Sequence, residues 1–440
     1  MGWKWSQCSS SSTSSVVVSL VMGLLIVFSS QRFVLVCALN YTKYRQVSSL
    51  RLARIQRHLD KINKPPVLTI LSPDGDTIDC VHRRKQPALD HPLLKNHKIQ
   101  RKPEWPKLNA MKTVDEQQEG RKHLGKESNN VAFQLWHSNG TRCPKGTVPI
   151  RRSTAHDVLR AKSLYDFGRK RRRAHPDQQI DAPDVISGNG HEHAIAYTGS
   201  TEEIYGARAT INVWDPSIEE VNEFSLSQIW VLSGSFDSDL NSIEAGWQVS
   251  PELYGDNRPR LFTYWTSDAY QATGCYNLLC AGFIQTNNRI AIGAAISPIS
   301  AFDGNQYDIT VLIWKDPKLG NWWMGFGDGN LVGYWPTELF SHLGDHATMV
   351  EWGGEIVNMR PNEEHTATQM GSGQFSEDRF GRASYFRNLE IVDSDNSLNA
   401  VQNVQTLAEN TNCYDIESSY SSDWGTYFYY GGPGRNPNCP

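Results

Sequence analysis

The 440-residue sequence predicts an all-β C-terminal region, an antiparallel sandwich or barrel over residues 191–440, preceded by a small basic α+β unit. After His191 the chain runs in short alternating stretches, such as Ala207–Trp214, Ser227–Ser233, Asp308–Trp314 and Trp322–Phe326, punctuated by Gly, Pro, Asn and Asp. No helical period of useful length follows about residue 220. Charge divides the chain at about the same place. Residues 1–173 hold 32 of the 43 Lys and Arg but only 12 of the 47 Asp and Glu, net +20 against −24 for the remainder. No nucleic-acid-binding fold carries the basic excess, so it reads as one part of the chain facing an oppositely charged other part. A composition with 10% aromatic residues and 34 Gly excludes a disordered chain.

Residues 1–38 read as a signal peptide. Val16–Phe28 is a 13-residue apolar run broken only by Ser19 and Gly23, too short for a bilayer span, and Val36-Cys37-Ala38 offers small residues for cleavage. No membrane segment is expected after cleavage. Six cysteines then remain, Cys80, Cys143, Cys275, Cys280, Cys413 and Cys439, an even number in an oxidising compartment, so disulfides are the expectation. Asn40 and Asn139 begin Asn-x-Thr sequons, candidates for glycosylation.

Residues 39–135 read as the small α+β unit. Apolar residues at Val47, Leu50, Leu52, Ile55, Leu59 and Ile62 have near-helical spacing, and Lys64-Pro65-Pro66 stops them. Val67–Leu71 and Thr77–Val81 flank Ser72-Pro-Asp-Gly-Asp76, a turn sequence, which predicts a hairpin. Residues 136–190, rich in Arg, Lys, Pro and Asp and holding the basic run Arg169–Arg173, read as a cleavable linker with that run exposed.

For chemistry, several patterns are absent: no Gly-x-Ser-x-Gly, no His-Glu-x-x-His, no Walker-type Gly-Lys-Thr. The glycines 325, 327 and 329 precede no helix pattern and read as a turn between strands. His191 and His193 share a strand face, but no third ligand is signalled, and neither metal nor cofactor is expected. Two segments remain. In Ser242-Ile-Glu-Ala-Gly-Trp-Gln-Val249 the period of two sends Glu244, Gly246 and Gln248 to one face and Ile243, Ala245, Trp247 and Val249 to the other. In Val350-Glu-Trp-Gly-Gly-Glu-Ile-Val357, Glu351, Gly353 and Glu355 share a face opposite Val350, Trp352 and Ile356. Each strand offers a carboxylate beside a glycine, which in a strand interior marks close approach by a ligand backbone. The alternative is that these are solvated glutamates on ordinary strands. Ten of the 14 Trp lie after residue 190, more than a core needs, and some are expected to line a groove.

Residues 191–440 resemble the neprosin family of plant glutamic endopeptidases, and residues 39–135 resemble its activation domain. The resemblance is carried by Ser72-Pro-Asp-Gly-Asp-x-Ile-Asp-Cys80, Cys143-Pro-Lys-Gly-Thr-Val-Pro-Ile-Arg-Arg152, Ile243-Glu-Ala-Gly-Trp-Gln-Val-Ser-Pro251, Leu253-Tyr-Gly-Asp256, Thr273-Gly-Cys-Tyr-Asn-Leu-Leu-Cys280, Gly333-Tyr-Trp-Pro336 and Trp352-Gly-Gly-Glu355. It implies an antiparallel two-sheet β-sandwich, Glu244 and Glu355 as the catalytic pair, and cleavage after proline at acidic pH. Gln248, on the face of Glu244, is a candidate for stabilising an oxyanion. The prodomain is expected to inhibit its own catalytic domain, with a proline-containing peptide or protein as substrate. Cys275–Cys280 would fix a turn and Cys413–Cys439 would pin the C-terminal stretch, which leaves Cys80–Cys143 for the prosegment. Two other classes fit the same pattern: a secreted β-sandwich glycoside hydrolase using the same carboxylates, and a non-catalytic glycan- or protein-binding module.

Overall fold

The computed structural model of the protein describes residues 48–108, 131–170, 190–199, 203–236, 238–327, 329–360 and 364–440. The signal segment, Asn40 and Arg171–Arg173 lie outside them. The chain divides into two units, Met1–Gln56 and Arg57–Pro440. The described part of the first is the opening of helix α1 (Ser49–Ile62). The second unit contains all the remaining elements.

Its N-terminal part holds β1 (Pro66–Leu71), β2 (Thr77–His82), β3 (Lys107–Leu108), β4 (Phe133–Gln134), β5 (Thr147–Arg151) and helix α2 (Ala155–Arg160). The next strands are β6 (His191–Tyr197), β7 (Gly206–Asn212), β8 (Ser225–Ser233), β9 (Asn241–Val249), β10 (Arg260–Thr266), β11 (Ile284–Gln285), β12 (Ile296–Ser297) and β13 (Asp308–Lys315). The remainder are β14 (Trp322–Phe326), β15 (Asn330–Trp335), β16 (Met349–Val357), β17 (Ser384–Val392), β18 (Ser397–Ala400), β19 (Gln405–Ala408), β20 (Asp415–Ser421) and β21 (Gly425–Gly431). After residue 190 the one described α-helix is a single turn, Pro251–Tyr254. The C-terminal region is all-β, as its alternation predicts.

Two sheets make it. The smaller has the order β10-β9-β8-β16-β6-β19. The larger runs β11-β15-β14-β13-β7-β17-β18-β3, with β21 also on β17 and β20 on β21. Alternation along each strand fills the space between them. Ile243, Ala245, Trp247 and Val249 of β9 and Val350, Trp352 and Ile356 of β16 join Ile309, Val311 and Ile313 of β13 in one buried cluster. Trp314, Trp322, Trp323 and Trp335 are in it too, fully enclosed. Burying a side chain of this kind contributes about 1.5–3 kcal/mol or more, so most of the tryptophan excess serves the core.

The N-terminal part is built into this framework. β1 and β2 form the expected hairpin, closed at Ser72–Asp76 with Gly75 at φ +93°, and β5 pairs with β2. β3 extends the larger sheet in parallel to β18, and β4 pairs with β12. Trp105 stacks on Trp314 with ring centroids 4.7 Å apart. The Gln100 amide donates to Asp316 at 2.8 Å, and its oxygen accepts from Asn321 at 2.8 Å.

Residues 136–170 are therefore not the linker expected of them. Trp136 and Cys143 are buried, and so are Val148 and Ile150, one alternation of β5. Thr154 and Asp157 cap α2 reciprocally. Only two apolar residues alternate in β5, and the surrounding Arg, Lys and Pro hide them in composition. Disulfides join Cys80 to Cys143, Cys275 to Cys280 and Cys413 to Cys439, with Cα atoms 5.4, 5.9 and 5.3 Å apart. Asn139 is exposed in the turn after β4. Glycines 327 and 329, at φ +60° and +67°, turn the chain between β14 and β15.

Candidate active site

On the face of the smaller sheet turned away from the core, the registers of β9, β8 and β16 set three rows. They are Glu244–Trp230–Glu351, Gly246–Gln228–Gly353 and Gln248–Leu226–Glu355. Glu244 and Glu355 thus lie on a diagonal with Gln228 between them. Both are buried, 0% and 2% exposed, and so is Glu351 at 0%, which rules out solvated outer-face carboxylates.

The glycines have a different reason from the one their sequence context suggests. A Cβ on Gly246 would lie 2.0 Å from the Ser227 carbonyl oxygen. One on Gly353, at φ +155°, would lie 2.2 Å from that of Ala194. They let neighbouring strands approach; a ligand backbone is not what meets them.

Around the diagonal the polar contacts are dense. Glu244 Oε1 accepts from the Tyr270 hydroxyl at 2.8 Å and the Ser242 hydroxyl at 2.9 Å, and Oε2 accepts from Gln228 Nε2 at 3.1 Å. Glu355 Oε1 faces His191 Nδ1 at 2.5 Å. The Lys170 ammonium lies 2.7 Å from Glu244 Oε2 and 3.3 Å from Glu355 Oε2. Those carboxylate oxygens are therefore no more than about 6 Å apart. Burial alone would raise the Glu355 carboxyl, but Lys170 and the hydrogen bond to His191 hold it well below the usual carboxylate range. Burial alone would lower the Lys170 amine, but the two glutamates hold it well above the usual lysine value.

Lys170 arrives at the end of a run of turns, residues 164–168. Gly168 O accepts from the Tyr276 N–H at 2.8 Å, and the Lys170 N–H donates to the Tyr264 hydroxyl at 3.3 Å. Gly168 needs its left-handed φ of +77°, and a Cβ there would strike Leu279 at 2.7 Å. The ammonium is 5.5 Å from the ring centres of both Tyr264 and Tyr270. Alongside runs a cleft of about 590 Å³ walled by Tyr165, Phe167, Phe224, Gln248, Tyr270, Tyr276 and Met359. Its aromatic walls are tyrosine and phenylalanine, where tryptophan was expected; Trp230 is the tryptophan that shares the glutamate face.

Of the sequence-predicted residues, Glu244 and Glu355 come together. Gln248 lines the cleft one row from Glu244's neighbour Gly246, with Oε1 buried and without a hydrogen-bond partner among the described residues. His191 and His193 are each turned to a carboxylate, Glu355 and Glu409, rather than to a common ion. Among the described residues His365, Cys413 and Cys439 cluster with donor spacing, but the two thiols are bonded to each other. Sequence reading missed Lys170, His191, Tyr270 and Gln228 as site members. A signal existed for Gln228, a polar residue on the non-core alternation of an apolar strand. None existed for Lys170, whose basic neighbours read as a solvated run.

A buried carboxylate pair on a two-sheet all-β domain, bridged by Lys170 of the segment before β6, is the arrangement expected of an acid–base hydrolase held inactive. Residues 221–433 match the Neprosin family and residues 69–197 the Neprosin activation peptide; the chain belongs to the neprosin family, and by that membership it is a glutamic peptidase. Among solved structures it is similar to scytalido-glutamic peptidase with a peptide-based transition-state analog, at TM-score 0.31 and 13% identity over 56% of this chain and 98% of that one. A member of the Eqolisin family of peptidases in complex with the tripeptide Ala-Ile-His matches at TM-score 0.29 and 11% identity, over 55% and 98%. Among the described residues no helix is long and apolar enough to cross a membrane.

Proposed function

We propose that the protein is the secreted zymogen of an acid-active endopeptidase that cleaves peptide bonds, preferentially after proline, with Glu244 and Glu355 as its acid–base pair. The observation that carries this reading is the Lys170 ammonium lodged between the two buried glutamates. Two carboxylates this close cannot both ionise without a cation, so when Lys170 leaves a proton takes its place. The ionised member then takes a proton from water as the oxygen attacks the scissile carbonyl carbon. The protonated member gives its proton to the leaving nitrogen as the C–N bond breaks. Gln228, between the glutamates, is better placed than Gln248 to stabilise the oxyanion, with the Tyr270 hydroxyl beside it.

While Lys170 is seated, water and substrate are excluded and neither glutamate holds the shared proton. Cleavage within residues 171–189, which connect Lys170 to the strand bearing His191, makes release irreversible. To test the reading, the full-length protein is held at about pH 3–4 and assayed at acidic and neutral pH against a proline-containing peptide and a panel of polysaccharides. Peptide cleavage in acid after the proline, with no polysaccharide cleavage, is expected. Polysaccharide hydrolysis without peptide hydrolysis overturns the proposal.

A further inference from the structure

The two glutamates are held by different kinds of group. Glu244 is met by the Tyr270 and Ser242 hydroxyls and the Gln228 amide, all neutral. Glu355 is met by an imidazole, His191 Nδ1 at 2.5 Å. His191 opens β6 and pairs with Val357 of β16, two residues from Glu355, and its ring packs edge-on against Phe224 with centroids 5.8 Å apart. Strand register and Phe224 together aim the imidazole at the carboxylate.

We propose that His191 is a positioning residue that keeps Glu355 ionised, so that Glu355 is the base of the pair and Glu244 the acid. The inference rests on the pair being the catalytic one. When Lys170 departs, one proton must enter, and the surroundings decide where it goes. Histidine gains its charge as pH falls below neutrality, and an imidazolium has two N–H donors and no acceptor. A protonated Glu355 could not carry its O–H on Oε1, which faces that donor, and only Oε2, vacated by Lys170, would be left for it.

Glu244 is differently placed. The Tyr270 and Ser242 hydroxyls accept as readily as they donate. Among the described residues Gln228 Oε1 is buried without a hydrogen-bond partner, one amide rotation from receiving a carboxylic O–H. The neutral form of Glu244 thus meets groups able to accept its O–H at both oxygens, whereas Glu355 meets a donor at Oε1 and retains its charge more readily. The other groups facing Glu355 do not reverse this. Lys170 leaves with the prosegment, His193 on β6 is held by Glu409 and adds positive charge, Tyr276 stays neutral, and Glu244 is the partner.

The test uses the full chain after acid activation. His191→Gln keeps an N–H donor but not the charge, and His191→Ala leaves a hole for added imidazole. In His191→Gln, kcat should fall about tenfold or more with KM within about twofold, and the acid limb of the pH profile should move up by about one unit. Imidazole should restore part of the activity of His191→Ala. An unmoved acid limb in His191→Gln together with no imidazole rescue overturns the proposal, whatever the loss of rate. Inactive Glu355→Gln and Glu244→Gln variants in the same series would show that the pair itself stands; native activity in either would overturn the pair and this inference together.

Discussion

The prosegment meets the catalytic domain at two buried ionic seams of opposite polarity. At the active site it supplies the cation, Lys170, to two domain carboxylates. At the hairpin turn it supplies the anion. Arg260, 1% exposed, lies 2.5 Å from Asp76 of the prosegment and 2.6 Å from Asp256 beside it, and donates to the Gly293 carbonyl at 2.8 Å. Arg151 of β5 shares Asp76 at 2.9 Å. A net charge of +18 on residues 39–173 predicts attraction of basic for acidic everywhere. The second seam shows that complementarity is local and that summed charge describes only the first. Contacts that are not ion pairs add to both seams, Trp105 stacked on Trp314 and Gln100 donating to Asp316.

The seams also differ from the prosegment histidines in their response to acid. At the Lys170 seam Glu355 is held well below the ordinary carboxylate range: burial alone would raise it, but Lys170 and the hydrogen bond to His191 outweigh that. The part of this stabilisation that Lys170 supplies is present above the free carboxylate value of about 4 and is lost only as pH falls through the depressed one. His58 and His91 act earlier. Burial depresses both, His58 with help from Lys61. Among the described residues His58 Nε2 is buried without a partner, and its ring lies edge-on to Phe167, three residues before Lys170. His91 is edge-on to Trp265 of the domain. The docked state favours their neutral forms, so docking is intact above the free value of about 6.5 and weakens as pH falls below it. Acid release should begin at the histidines and finish at the carboxylates.

The contrast between the seams is probed most severely at Arg260. Asp76→Ala leaves part of a buried guanidinium uncompensated and should cost the full-length protein about 3–5 kcal/mol, read by denaturant unfolding at pH 7. Unchanged stability would mean that this seam does not hold the prosegment. Lys170→Met should cost about 2 kcal/mol at pH 7 and less at pH 4, because a proton replaces the lost cation. An equal loss at both pH values would contradict the shared-proton site. His58→Phe with His91→Phe should move the pH at which activity first appears downward by about half a unit, measured by activation at stepped pH. The smallest effect belongs to the exposed pair Lys318–Glu104, where Lys318→Ala should change stability by less than about 1 kcal/mol. A larger change there would mean that surface attraction contributes to docking after all.

The sandwich was legible because alternation has a strict period and each strand offers one apolar face. Alternation put Glu244, Glu351 and Glu355 on the other face, and only the resemblance to the neprosin family singled out Glu244 and Glu355. The Ser72–Asp76 hairpin was legible from its turn residues. What escaped depended on tertiary partners. The order of residues 136–170 rests on a disulfide, one buried alternation and a docking surface, and none of these shows in composition. Lys170 looks like Arg169, yet Arg169 lies over Tyr165 near the surface while Lys170 is enclosed. The roles of Gly246 and Gly353 depend on the neighbouring strand, which the sequence does not name.

That Glu244 and Glu355 perform the chemistry is tested most plainly by peptide hydrolysis with acid-activated Glu244→Gln and Glu355→Gln, each isosteric with the native side chain, against Glu252→Gln as an off-diagonal control. The structure predicts a loss of about a thousandfold or more in both and near-native rate in the control. Native activity in either glutamate variant, with folding confirmed, would contradict the assignment of this pair.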